Sequence, residues 1–202
     1  GSSGGSFTIG SNGGLTFDPA GDFEDLAAGE VRTTAIGYTI SDGEGGSDVA
    51  TVTVTVTGVN DAPLVVDPAT GEPAADPRSI VPAQSATDGA TPVPLALAPY
   101  FADPDTSDTF TLSVDPASLP PGLVLDPATG TISGTIDPGA SQGGPAGDGV
   151  YPVVVTATDP HGSSVTTTLL YRIENLAPEK PHVRSSSARR DFQLALDDLA
   201  RR

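Results

Sequence analysis

Asn60 and Asp61 stand immediately before Ala62-Pro63, at the end of a Val/Thr alternation, "DVATVTVTVTG" (48–58). Asp103 and Asp105 sit two apart in "YFADPDTSD", just ahead of the alternating segment "TFTLSV". Asp159 closes a third such segment, "YPVVVTATD". In a β-sandwich, loops gather at the two ends of the sheets, so these three stretches can meet at one point. Carboxylates and main-chain carbonyls gathered there are hard oxygen donors, of the kind Ca²⁺ takes in flexible geometry. Without a cation, their mutual repulsion is unfavourable. The chemistry on offer is therefore chelation of a hard cation. Each piece also has a plainer use, because Asp-Pro is a turn signal and Asn-Asp before Pro ends many strands. Eight Asp-Pro pairs occur, at Asp18, Asp67, Asp76, Asp103, Asp115, Asp126, Asp137 and Asp159. Strand punctuation is their default explanation.

The elements that must position these residues read as strands. Val, Thr, Ile and Leu alternate with period two in both halves of the chain, while Gly (24) and Pro (20) supply the turns of its 202 residues. The reading is a folded all-β protein. Its formal charge is −17, from 26 acidic against 9 basic residues. So acidic a surface repels nucleic acid and anionic membranes, and no apolar stretch is long enough to span a bilayer. Cysteine is absent, so no disulfide framework informs on compartment. The two histidines, His161 and His182, have no nucleophile or metal-ligand partner at a recognisable spacing, and no phosphate-binding glycine motif is present. An enzyme is not expected.

A diverged internal repeat organises the chain. "LTFDPAG" (15–21) matches "LVLDPATG" (123–130), and "YTISDGEGGSDVATVTVTVTGVNDAP" (38–63) matches "YPVVVTATDPHGSSVTTTLLYRIENLAP" (151–178). The second copy has additional segments ahead of its Asp-Pro-Ala turn, so the first copy reads as a sandwich without its opening strands. Its unpaired edges and apolar face call for cover from the second domain, a neighbouring copy or partial disorder. The expected organisation is a tag or linker at 1–5 and a partial β domain at 6–62. A Pro-rich extended linker at 63–79 and a complete sandwich at 80–178 follow, then a tail at 179–202. Within the tail, "SSSARRDFQLALDDLARR" sets Ala188, Phe192, Ala195, Leu196 and Leu199 on one face of a short amphipathic helix.

In the order "VNDAP", "ADPD", "LVLDPATGTISG", "YPVVVTATD", the motifs resemble the cadherin-like superfamily. Residues 101–135 are similar to the dystroglycan-type cadherin-like Ig modules of bacterial surface proteins. Residues 21–63 resemble the C-terminal part of a VCBS repeat of RTX-type adhesins. The fold so implied is an Ig/cadherin-like Greek-key β-sandwich, one complete and one partial. The implied function is that of a Ca²⁺-binding adhesive module on a bacterial surface or in a secreted protein, its joint stiffened by the ion. The ligands carried over are Asn60 and Asp61 from the linker, Asp103 and Asp105 from Asp-x-Asp, and Asp159 from Ala-x-Asp. Glu30 in "LAAGE" stands near the family's Leu-Asp-Arg-Glu glutamate, with Glu24 as a rival. Gly58 replaces an Asp that the linker often carries, which implies fewer cations. Asp42 is the counterpart of Asp159, and Leu176 in "IENLAP" replaces Asp61, so the second linker is expected to bind Ca²⁺ weakly or not at all. The expected partners are neighbouring repeat domains; the alternative reading is a module that binds a cell-surface glycan or protein, and, behind it, a self-processing segment cleaved at an Asp-Pro bond. A homo-oligomer through the incomplete domain or the tail helix is a further expectation.

Overall fold

The structure, a computed structural model, describes residues 1–176; the expected tail helix lies outside the described residues. Thirteen strands build two tandem all-β units. The first contains β1 (Ser6–Ile9), β2 (Leu15–Asp18), β3 (Val31–Ser41) and β4 (Ser47–Thr57). The second contains β5 (Leu64–Val65), β6 (Gln84–Thr87), β7 (Leu95–Ala96), β8 (Phe101–Ala102) and β9 (Thr111–Val114). It continues with β10 (Leu123–Asp126), β11 (Thr131–Gly134), β12 (Val150–Thr158) and β13 (Ser164–Glu174).

A four-stranded sheet, in the order β6-β13-β12-β9, faces a three-stranded sheet, β10-β11-β7, in the second unit. The alternation seen in the sequence sets their inner faces. Tyr151, Val153, Val155 and Ala157 point inward from β12, and Thr167, Leu169, Tyr171 and Ile173 from β13, all buried. Leu112, Leu123, Ile132, Leu97 and Ile136 close the same core. Burying each Leu, Ile or Val contributes roughly 1.5–3 kcal/mol, enough in sum to hold the sandwich and with it the loops at its ends. β6 covers the outer edge of β13 in parallel, from Tyr171↔Gln84 to Glu174↔Thr87.

Residues 63–79 are not the extended connector that their proline content suggests. β5 pairs antiparallel with β8, and Pro63, Val65 and Val66 are buried. The chain then turns at Asp67, whose carbonyl accepts from Gly71 N at 2.7 Å, and returns so that Ala74 N donates to Val65 O at 2.8 Å. Val65 and Val81 belong to the second core, and the Thr167 hydroxyl donates to the Pro77 carbonyl. The joint between the units is therefore short. It consists of the six residues Gly58 to Pro63, between β4 and β5.

Two separate hairpins make up the first unit, β1-β2 and β3-β4. The long ribbon keeps an unbroken register from Val31↔Thr57 to Ser41↔Ser47. Phe7, Phe17 and Phe23 form a small aromatic cluster beneath it, with centroids 4.9 and 6.1 Å apart, and the Arg32 guanidinium lies 5.7 Å from the Phe23 ring. Farther out the cover fails: Ile9 and Ile40 are each more than half exposed. The repeat also diverges in pairing, since β2 pairs with the strand before it and its counterpart β10 with the strand after it.

Candidate metal centre at the joint

Asp-Pro turns create most of the local geometry. At seven of the eight pairs, all but Asp137, the aspartate Oδ1 accepts from the N–H two residues on. These bonds fix the turns. Asp103 and Asp159 share that role, so turn formation explains their position but not their surroundings. Asp159 is 5% exposed. Its Oδ1 accepts from His161 N and Ser163 N, both at 2.8 Å, and its Oδ2 accepts from Asn60 Nδ2 at 2.9 Å. Asp42 repeats the pattern in the first unit, accepting from Glu44 N at 2.8 Å and Gly46 N at 2.9 Å, yet stays exposed.

Five of the six residues expected from the sequence meet at the joint. Asp105 is fully buried; its Oδ2 accepts from Asp61 N at 2.9 Å, and its own N–H donates to Asp103 Oδ1 at 3.1 Å. Asn60 Nδ2 lies 3.0 Å from Asp61 O and 3.1 Å from Ser163 Oγ. Asn60 and Asp61 thus bridge the Asp-x-Asp loop and the β12–β13 turn, which the sequence separates by more than fifty residues. Three buried side-chain oxygens here have no hydrogen-bond partner: Asn60 Oδ1, Asp103 Oδ2 and Asp105 Oδ1. An unpartnered buried acceptor costs about 1–3 kcal/mol, more when charged.

The electrostatics agree with crowding. Burial pushes the Asp103 carboxyl above its ordinary value, and the nearby Asp105, Asp108 and Asp159 add to the effect against the hydrogen bond from Asp105 N–H. For Asp159 burial acts upward too, but hydrogen bonds from Asn60, Ser163, His161 and Gly162 together hold it below the usual carboxylate range. Among the described residues no three His, Cys, Asp or Glu side chains form a ready metal cage. The joint holds three buried, unpartnered oxygens without forming such a cage.

Glu30 is engaged elsewhere. It is exposed, and its Oε2 accepts from Ala27 N at 3.2 Å within its own turn; Glu24 is exposed as well. The first unit instead reaches the joint through Asp25. Its carbonyl accepts from Thr106 N at 3.3 Å and Thr106 Oγ1 at 3.2 Å, while its carboxylate holds Arg32 in two bonds of 2.9 and 2.6 Å. Sequence reasoning missed Asp25 and Thr106, because a main-chain carbonyl leaves no residue signature. It also missed Asp108, which lies 3.1 Å from His161 Nδ1; its place three residues after Asp105 was the available signal. Gly58 is pressed against the same loop: a Cβ there would lie 2.3 Å from Leu26 O and 2.4 Å from Ala27 O. At the far end of the second unit Leu176 is 64% exposed and Glu174 is exposed.

Residues 73–174, half of the chain, match the family described as "Putative Ig domain". The chain belongs to that family. Residues 1–55 match a second family, "Bacterial Ig domain", so two Ig-like units stand in tandem. Their fold is that of a non-catalytic structural module. No curated protein matches the chain. Among solved structures, the chain is similar to protocadherin gamma B7 cadherin domains 1–4, at 17% identity and a TM-score of 0.48 over 85% of this chain and 39% of that one. For the protocadherin gamma B4 extracellular domain the values are 18% and 0.47, over 84% and 25%. Drosophila N-cadherin EC1-4 is similar at 13% and 0.38, over 86% and 39%. The chain spans well under half the length of each of these proteins. Among the described residues no helix is long and apolar enough to cross a membrane.

Proposed function

We propose that this tandem Ig-like pair is a calcium-stiffened spacer of an extracellular bacterial adhesin, with a VCBS-type first unit and a dystroglycan-type cadherin-like second one. One observation carries the reading: the three buried, unpartnered oxygens belong to Asn60, Asp103 and Asp105. All three were named from sequence as cation ligands. With Asp61 and Asp159 they make a donor set of carboxylates and a carboxamide, the hard oxygens that Ca²⁺ takes. A bound Ca²⁺ would supply the positive charge and the coordination that these oxygens lack. Glu30 would have to leave Ala27 N to join them. Asn60 and Asp61 sit on the joint, Asp103 and Asp105 in one loop of the second unit, and Asp159 in another. Holding all five together fixes the direction in which the first unit leaves the second. Gly58, wedged beside two carbonyls, leaves no room for a further acidic ligand, which supports a low cation number.

Binding to the ordered joint alone stabilises it by about 4 kcal/mol when free Ca²⁺ exceeds Kd a thousandfold. Thermal unfolding in EDTA and in millimolar Ca²⁺ tests the proposal. Calcium is expected to raise the melting temperature, and Asp61→Ala and Asp103→Ala are expected to remove most of that rise. An unchanged rise in both variants rejects the site.

A further inference from the structure

The exposed edge of β4 is built to pair with itself. Gly58 N donates to Glu30 O at 2.8 Å and Gly58 O accepts from Gly29 N at 3.1 Å. At the other end of the ribbon Gly46 O accepts from Asp42 N at 3.1 Å. With the unbroken register between them, even-numbered β4 residues direct their backbone groups to β3. Val49, Thr51, Thr53, Thr55 and Thr57 therefore turn their N–H and C=O groups outward. Val49 N donates to Asp48 Oδ1 at 2.9 Å. Among the described residues no strand and no hydrogen bond takes up the outward backbone groups from Thr51 to Thr57.

Long exposed edges are usually blunted by charge, proline, bulges or cover. Each of the other long strands has part of its outer edge covered. Ser2 lies along the outer edge of β3, its N–H donating to Ala35 O and its Oγ accepting from Ala35 N, both at 3.1 Å. β6 covers β13, and β9 covers β12. From Val49 to Thr57, β4 has no charge, no proline and no bulge.

The occupant is indicated by the sequence of the edge itself. Residues 51–57 read "TVTVTVT", identical in both directions. An isologous contact needs a self-complementary surface, and an antiparallel partner reads the strand backwards. A two-fold axis at Val54 sets Val54 against Val54 and Val52 against Val56, with Thr53 against Thr55 and Thr51 against Thr57. The threonine pairs are those whose free backbone groups face outward, so each exchanges two hydrogen bonds. The half-buried valines of the two ribbons then make one continuous apolar row. The result is a four-stranded sheet, β3-β4-β4-β3, with as many strands as the large sheet of the second unit.

We infer that two copies of this chain associate through antiparallel pairing of their β4 edges, centred on Val54. The contact ends at Thr57, just short of the joint, uses none of the proposed cation ligands and needs no cation, so it stands or falls separately from the calcium proposal.

Light scattering on the full chain, in EDTA and in Ca²⁺, is expected to show a dimer that dissociates on dilution in both. The chain has no cysteine, so single replacements report register cleanly. Opposed non-hydrogen-bonded residues stand close enough to bridge, so Val54→Cys is expected to form an interchain disulfide at least about tenfold faster than Val52→Cys, whose partner is Val56. Thr53→Lys/Thr55→Lys and Thr53→Glu/Thr55→Glu are each expected to be monomeric alone and to pair when mixed, which separates repulsion from misfolding. A wild-type monomer at all concentrations overturns the inference, whatever else covers the edge. Equal bridging at positions 52 and 54, or no pairing in the mixture, overturns it too.

Discussion

Replacing Asp105 by asparagine sets two roles of one side chain against each other. Without metal, Asp105 Oδ2 accepts from Asp61 N, and an asparagine Oδ1 can accept the same bond. Loss of charge assistance on that bond costs about 1 kcal/mol. Opposing this, one negative charge leaves the neighbourhood of the half-buried Asp103, whose carboxyl is pushed upward by burial first and then by Asp105, Asp108 and Asp159. The two effects nearly cancel, so in EDTA the variant is expected to melt within about 1 kcal/mol of wild type. In calcium the balance is lopsided, since the carboxylate is a ligand of higher charge and capacity than the amide. For a micromolar site in millimolar Ca²⁺ the wild type gains about 4 kcal/mol. A unit of ~100 residues shifts by 4–8 °C per kcal/mol, so that gain is a rise of roughly 15–30 °C. Asp105→Asn should lose most of it. The assay is a pair of calorimetric scans on each protein, with calcium titrated from EDTA upward. A large drop for the variant in EDTA, or an intact calcium rise, would refute the assignment of Asp105 as a buried ligand held ready by Asp61.

Acidification of the metal-free protein gives a sign test. Asp103 is raised by burial and its neighbours, so its charge destabilises the fold above its folded pKa, and that penalty is lifted as pH falls through this value and is gone below the unfolded one. Asp159 is depressed, so its contribution is present above its unfolded value of 3.8 and is lost as pH falls through the lower folded one. Denaturant melts in EDTA should therefore pass through a stability maximum in mild acid that Asp103→Asn abolishes. Gly58→Asp should lower stability without raising calcium stoichiometry in calorimetric titration, because its Cβ collides with the Leu26 and Ala27 carbonyls. Tyr151→Phe removes the buried hydroxyl that donates to Ala140 O at 2.6 Å and should cost about 1 kcal/mol in urea unfolding. Leu169→Ala, at a side chain with no exposure, should cost about 2–5 kcal/mol in the same measurement.

The strands that carry the fold were plain in the sequence because their period is two and one face is buried. β12 and β13 alternate through nine and eleven residues, and the repeat told in advance that β3 and β4 would form a like hairpin. β5 was hidden for the converse reason. Leu64 to Val66 has no alternation and sits among prolines and aspartates, so its local composition indicates a connector. Only pairing with β8, a tertiary event some forty residues away, makes it a strand. The meeting of Asn60, Asp61, Asp103, Asp105 and Asp159 was legible because loop ends of a sandwich converge. Burial was not: Asp126 and Asp159 each precede a proline and each form the same turn, yet one is exposed and the other lies under the joint. Glu30 was placed by its nearness in sequence to a motif that is not intact, and its own turn claims it.

The contact between the Asp25 carbonyl and Thr106 bears on how tension would pass between the two units. Pulled from its two ends, the chain transmits force from β4 to β5 through a single backbone, Gly58 to Pro63. The loop that carries Asp25 belongs to the first unit, and Thr106 follows directly on Asp105. Their two hydrogen bonds lie in parallel with that backbone, as a second load path across the same gap. A pull must therefore shear the loop contact before it can straighten the joint. The polypeptide alone thus supplies a second connection across the joint, and a cation at the neighbouring oxygens would add to it.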